Sequence, residues 1–146
     1  MSDRFAQTFV AQPRDIDELG HVNNTVWVRW VQEIATAHWR AVADPAHVDQ
    51  FVWVVTRHEI DYRGNVGEGA VVRAETYIPG IPKGARFDRC VDFCDGESGK
   101  LLVAVRSTWA MLEKASGRLV RIRPEVAGPF IAPDQAAAAS DDSSAS

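Results

Sequence analysis

The sequence predicts an α+β fold in which one antiparallel sheet of five strands wraps around a single long helix. The helix is predicted from a nearly unbroken apolar segment at about residues 24–43. The sheet is predicted from four β-branched and aromatic segments that follow the helix, with one further strand before it. Short glycine-rich turns join the later segments, which favours antiparallel pairing. The predicted strands lie at residues 4–12, 51–63, 70–78, 85–94 and 100–113.

The predicted helix is apolar over most of its circumference. Asn23 or Asn24 can cap its start, and the Asp44-Pro45 pair ends it. One face of a thin sheet does not cover such a helix, so the pattern favours a second subunit. The polar positions form one narrow stripe of helical period, made of Thr25, Arg29, Gln32, Glu33, Thr36 and Arg40.

Length and composition indicate one domain with its own core. The chain has 146 residues, of which 46% are hydrophobic, enough for a core that needs neither disulfides nor a structural metal. We expect this domain to occupy residues 1–132. Residues 133–146 are small, polar and low in complexity, and we expect them to be a disordered tail.

Charge and cysteine usage exclude several classes of function. Sixteen basic and 20 acidic residues give a net charge of −4, which argues against a nucleic-acid binder. No apolar segment is long enough for a membrane span, so we expect no membrane partner. Cys90 and Cys94 lie about 13 Å apart in an extended strand, too far for a disulfide. Two cysteines also give no metal pattern, and reduced thiols favour the cytoplasm.

A polar turn, DIDELGHVNN at residues 15–24, leads directly into the predicted helix. A helix start offers unpaired N–H groups and a partial positive charge. Side chains able to act as acid, base or nucleophile therefore lie beside a site that stabilises negative charge. The sequence predicts an active site here, one that handles an anionic intermediate.

The turn and helix resemble the hotdog-fold acyl-CoA thioesterases, and the 4-hydroxybenzoyl-CoA thioesterase family in particular. The signature is Asp15-x-Asp17-x-x-Gly20, continued by His-Val-Asn-Asn at residues 21–24. The likeness extends over about residues 4–125. It implies a hotdog fold, homodimers or dimers of dimers with active sites at the subunit interface, and hydrolysis of acyl-CoA to a carboxylic acid and CoA. No cofactor is implied, because CoA is part of the substrate.

The resemblance gives Asp17 and Asn24 the central catalytic roles. Asp17 matches the family's carboxylate, which either attacks the thioester or activates a water molecule as general base. The backbone N–H at Asn24 lies where the family polarises the thioester oxygen. Asp15 is interpreted as a supporting residue of the turn.

Three further residues of this region keep two interpretations each. His21 matches a catalytic histidine of the plant acyl-ACP branch, but Leu19 replaces the asparagine that precedes it there; His21 either assists catalysis or braces the loop. Glu33 matches an acid of the same branch, or forms an ion pair with Arg29. Asn23 contacts substrate, or caps the helix.

A basic cluster flanks the PGIPKG turn at residues 79–84 and consists of Lys83, Arg86 and Arg89. Cations of this kind bind the phosphates of CoA, although solvated loop charges are common. Two other functions stay open at this point. In the first, the substrate's acyl group is carried on acyl carrier protein instead of CoA. In the second, the chain binds acyl thioesters without turnover.

Overall fold

The structure is a computed structural model that describes residues 4–131, so the predicted tail at 133–146 lies outside the described residues. The predicted long helix and all predicted strands are present, and their ends differ from the predictions by one or two residues at most. The strands are β1 (Phe5–Val10), β2 (Phe51–Tyr62), β3 (Val71–Tyr77), β4 (Arg86–Asp95) and β5 (Leu101–Glu113). The helices are α1 (Asn24–Val42), α2 (Pro45–Gln50) and α3 (Pro124–Ala127).

The strands form one antiparallel sheet in the order β1-β3-β4-β5-β2, which confirms the predicted architecture. The two strands that come first along the chain therefore lie at opposite edges. The β2–β5 pair runs from Phe51–Glu113 to Tyr62–Val103, with a register shift between Val55 and Arg57. The outer edge of β2 is thus a long row of backbone groups without a described strand beside it.

Helix α1 packs its apolar side on the inner face of the sheet. The predicted polar stripe is the exposed side, because all six of its residues are exposed. Trp27 is fully buried, with its ring 5.2 Å from the rings of Trp30 and Phe93. Trp30 in turn stacks on Phe9 of β1 at 5.1 Å. Tryptophans of α1 therefore tie the helix to both β1 and β4.

Two short helices were not predicted. Asp44 does follow the end of α1, but its carboxylate also accepts a hydrogen bond from the Ala46 amide at 2.9 Å and begins α2. Helix α3 adds Val126 and Ala127 to a second apolar cluster, together with Trp39 of α1 and Phe51 of β2. Helices of four to six residues carry too few turns for a periodic pattern.

Both cysteines are free thiols, as their spacing predicted. Among residues 4–131, no helix combines the length and the apolar character that crossing a membrane requires.

A buried polar group joins α1 to β4. His38 is 3% exposed, and its Nδ1 accepts a hydrogen bond from Nη1 of Arg89 at 2.9 Å. Its ring stacks on Phe5 at 5.0 Å and meets Phe130 edge-on at 4.9 Å. Burial, assisted by the positive charge of Arg89, lowers the pKa of His38 to about 3. His38 is therefore a neutral acceptor in the folded protein.

We expect His38 to make the fold sensitive to acid. The unfolded chain binds a proton at His38 below about pH 6.5, whereas the folded chain does so only near 3, so stability is lost as pH falls through this window. Between roughly pH 5.5 and 4, the free energy of unfolding of the wild-type chain should fall more steeply than that of His38→Gln. The difference should be up to about 1.4 kcal/mol per pH unit. Urea unfolding of both chains measures this, and parallel pH curves would contradict it.

Candidate active site

The loop that carries Asp17 is closed by its own backbone. Ile16 and Val22 form an antiparallel bridge, the Asp17 amide donates to the His21 carbonyl at 2.8 Å, and the Gly20 amide donates to the Asp17 carbonyl at 3.1 Å. Gly20 has φ +79°, a left-handed conformation that glycine adopts without a Cβ penalty. The spacing of the Asp-x-Asp-x-x-Gly signature therefore corresponds to one tight turn.

The two oxygens of the Asp17 carboxylate have different surroundings. Oδ1 accepts the backbone N–H groups of Leu19 at 2.9 Å and His21 at 3.2 Å. For Oδ2 there is no hydrogen-bond donor within residues 4–131. The side chain is only partly buried. One oxygen thus orients the group, while the other can act on a reactant.

The start of α1 leaves one amide available beside this loop. Oδ1 of Asn23 caps the helix, because it accepts the Thr25 amide at 3.0 Å and the Thr25 hydroxyl at 2.9 Å. The Val26 amide donates to the Asn23 carbonyl at 3.0 Å. The Asn24 amide has no acceptor among the described residues. It is the donor that the sequence predicted for polarising a thioester oxygen.

Asp15 is the buried anchor of the region. It is 1% exposed, and its carboxylate accepts the Gln12 amide at 2.9 Å and Nη2 of Arg29 at 2.8 Å. Its carbonyl accepts the Asn23 amide at 2.9 Å. Burial acts to raise the pKa of the Asp15 carboxyl, but the hydrogen bonds from Arg29 and Gln12 outweigh it and hold this pKa below its ordinary value. Asp15 is the supporting residue that the sequence indicated.

Arg29 links this anchor to the exposed stripe of α1. Besides Asp15, its guanidinium lies 3.6 Å from the Glu33 carboxylate, one helical turn further on. The Glu33 side chain is about half exposed. The helical ion pair that was one interpretation of Glu33 is therefore present.

A second loop braces the Asp17 turn from outside. The Val22 amide donates to the Val66 carbonyl at 3.1 Å, and Nδ2 of Asn65 donates to the Val22 carbonyl at 3.1 Å. At Gly67 the chain passes so close that an added Cβ would lie 3.3 Å from the Gly20 carbonyl oxygen. A larger residue at 67 would press on the turn that orients Asp17.

His21 contributes its backbone to the turn and leaves its side chain exposed. Loop bracing by His21 therefore works through its N–H and C=O groups.

The predicted cation cluster is divided by the sheet. Lys83 and Arg86 are exposed and pair through their backbones across the turn, at 2.8 and 3.1 Å. Arg89 does not join them on the surface, because it is 4% exposed on the inner face of β4. The prediction of one surface cluster of three cations is wrong on this point. Alternation along the strand puts Arg89 on the same side as Phe87 and Val91.

Within the described part of the chain, no group of three or more His, Cys, Asp or Glu side chains lies close enough together to hold a metal ion. The chemical groups of the site are thus a carboxylate, an exposed imidazole and a helix-start amide.

Residues 2–130 match the model of the acyl-ACP thioesterase N-terminal domain family. A chloroplastic palmitoyl-acyl carrier protein thioesterase from Gossypium hirsutum is 35% identical over 78 residues, which are 53% of this chain and 18% of that relative. The match thus covers only a small part of the relative's length.

Solved thioesterase structures share the fold. A 12:0-ACP thioesterase from Umbellularia californica superposes with a TM-score of 0.74 at 20% identity, over 88% of this chain and 51% of that one. A 1,4-dihydroxy-2-naphthoyl-CoA thioesterase from Synechocystis gives 0.69 at 14% identity, over 96% and 97% of the two chains.

These likenesses confirm the hotdog fold that the signature turn predicted, although the matching model is that of the acyl-ACP family. Because that model spans nearly the whole chain, the protein belongs to the acyl-ACP thioesterase family of hotdog-fold thioesterases.

Proposed function

We propose that the chain hydrolyses acyl-CoA thioesters to a carboxylic acid and CoA, with Asp17 as the catalytic carboxylate. One observation carries this proposal. The Asp17 carboxylate uses only Oδ1 for hydrogen bonds within its turn, and the Asn24 amide at the start of α1 has no acceptor among the described residues. Asp17 lies on a braced turn, so its orientation is fixed before substrate arrives.

The reaction begins when the thioester oxygen accepts the Asn24 N–H, which stabilises negative charge as the carbonyl carbon becomes tetrahedral. In one course, Oδ2 of Asp17 attacks the carbon and expels the thiolate, giving an anhydride that water then hydrolyses. In the other, Asp17 takes a proton from water as the water attacks. Either course consumes one water and releases an acid and a thiol, without a metal or redox cofactor.

CoA is the carrier that we propose first. Its phosphates suit the exposed cations Lys83 and Arg86 on the turn before β4. Acyl carrier protein is the second candidate. The matching family and the Gossypium hirsutum relative favour it, since both are named as acyl carrier protein thioesterases.

We also propose that two copies assemble and complete the site. Leu19 on the Asp17 loop is 81% exposed, so the loop presents a large apolar side chain to solvent. An acyl chain bound there needs apolar walls. The free edge of β2, with Val52 and Val54 exposed beside it, offers a surface on which a second sheet can continue the first.

We expect Asp17→Asn to abolish most activity and to leave the fold intact. Asparagine keeps an oxygen that can accept the Leu19 and His21 amides, but it is neither a base nor a nucleophile. The kcat for thiol release from acyl-CoA should fall on the order of 10²–10⁴-fold, with an unchanged melting temperature.

Glu18→Gln is the matched control, because Glu18 is an exposed acid of the same loop and should keep full activity. Wild-type rates in Asp17→Asn would refute the assignment of Asp17.

His21→Ala decides between the two interpretations of His21. Lower kcat at constant melting temperature indicates an assisting imidazole, and full activity indicates a backbone role alone.

Matched acyl-CoA and acyl carrier protein esters of one chain length identify the carrier. We expect kcat/KM to be higher for the CoA ester, and Lys83→Gln with Arg86→Gln to raise its KM by several fold through loss of phosphate contacts. A higher kcat/KM for the carrier-protein ester would establish the second candidate instead.

Light scattering should give the mass of a dimer or tetramer rather than the 16.1 kDa of one chain. Val54→Lys puts a charge on an exposed side chain beside the free edge of β2 without removing a backbone donor, and we expect it to weaken assembly and activity together. A fully active monomer would contradict the proposed assembly.

A further inference from the structure

A second cleft lies far from Asp17, between the C-terminal half of α1 and strands β2, β4 and β5. It has a volume of about 230 Å³. Its position along α1, near Trp39, is 15 residues from Asn24, or about 22 Å at 1.5 Å per residue. Its walls are mainly aromatic, formed by Trp39, Phe51, Trp53, Phe87 and Trp109.

The charges that line this cleft are all positive. They belong to Arg40, Arg89 and Lys114, and no acid is among the lining residues. A smaller apolar cavity adjoins it, shares Trp39, Trp53, Phe87 and Arg89, and is likewise without an acid. In a chain whose net charge is −4, three cations without an acid form a local environment for an anion.

Arg89 is the buried cation of the cleft. It forms no ion pair with any acid of residues 4–131; its Nη1 donates to neutral His38 and to the Thr76 hydroxyl, both at 2.9 Å. Its Nε is buried and has no acceptor there. Burial lowers the pKa of Arg89 to about 10, so it stays charged at neutral pH. A buried charge without a counter-ion is costly, and a bound anion removes that cost.

A second donor belongs to Trp109, which also lines the cleft. The indole Nε1 of Trp109 is buried without an acceptor in the described part of the chain. Arg89 pairs with Ser107 across β4 and β5, and Trp109 is two residues further along β5 on the same face. Such diagonal neighbours lie about 7–8 Å apart at their backbones, within reach of long side chains. Arg89 and Trp109 therefore lie near each other on the wall of the cleft.

We propose that this cleft binds a carboxylate on an apolar body, with the carboxylate on Arg89 and Trp109 and the body against the aromatic walls. The ligand is a free carboxylic acid, so this proposal does not rest on the thioesterase function proposed above.

Calorimetry with octanoate and octan-1-ol tests the free acid. The Asp17→Asn chain is used, so that the result is independent of turnover. We expect octanoate to bind at least tenfold more tightly than octan-1-ol, and this preference to disappear in the added Arg89→Met variant. Arg106→Gln, which removes an exposed cation from the outer face, should keep it. Trp109→Phe keeps the ring and removes one donor, and it gives a second measure of the preference if Arg89→Met does not fold.

The proposal is overturned if octanoate is not preferred tenfold over octan-1-ol. It is overturned as well if octanoate binds only after Asp134, Asp141 and Asp142 are replaced by Asn, because an acid of residues 132–146 would then be the occupant.

Discussion

The ion pair between buried Asp15 and half-exposed Arg29 is the contact on which the active-site region depends. It joins the turn after β1 to the exposed stripe of α1 at 2.8 Å, and the Asp15 carbonyl holds the Asn23 amide. Asp15 is thereby bonded on one side to the chain that leads out of the sheet and on the other to the residue that caps the helix. A buried carboxylate without Arg29 would be an uncompensated charge, so losing either partner would release the turn that orients Asp17.

The division of labour between the two acids of the signature follows from this arrangement. Asp15 is buried, and its carboxylate accepts two hydrogen bonds that favour its ionised form. These properties suit an anchor, and burial keeps a reactant away from it. Asp17 is partly exposed and engages one oxygen with amides of its own turn. The two acids lie on either side of extended Ile16, whose bridge to Val22 closes the loop. Asp15 ends the 3₁₀ turn at residues 13–15, and Asp17 begins the closed loop.

Much of this was predictable from local patterns. The polar stripe of α1 and the alternation along the strands were sufficient, because burial on one face imposes a period on the sequence. The same alternation placed Arg89 beside Phe87 and Val91, yet its charge and its nearness to Lys83 and Arg86 favoured the surface. No pattern near Arg89 in the sequence indicates that His38 accepts its hydrogen bond, since His38 lies 51 residues away. Helix α2 depends on its Asp44 cap and helix α3 on long-range packing, and neither depends on periodicity.

Helix α1 thus joins two different electrostatic environments. Its start presents an amide and a carboxylate for chemistry, while its last turns hold a neutral histidine against a buried cation. The neutrality of His38 matters for the second site, because an imidazolium in its place would set two positive charges 2.9 Å apart. His38 accepts a hydrogen bond from Arg89 but supplies no counter-charge, so the positive field of the aromatic cleft remains available to an anion. The neutral state of buried His38 is therefore what we expect to make the fold acid-sensitive, and it is also what leaves the charge of Arg89 unneutralised.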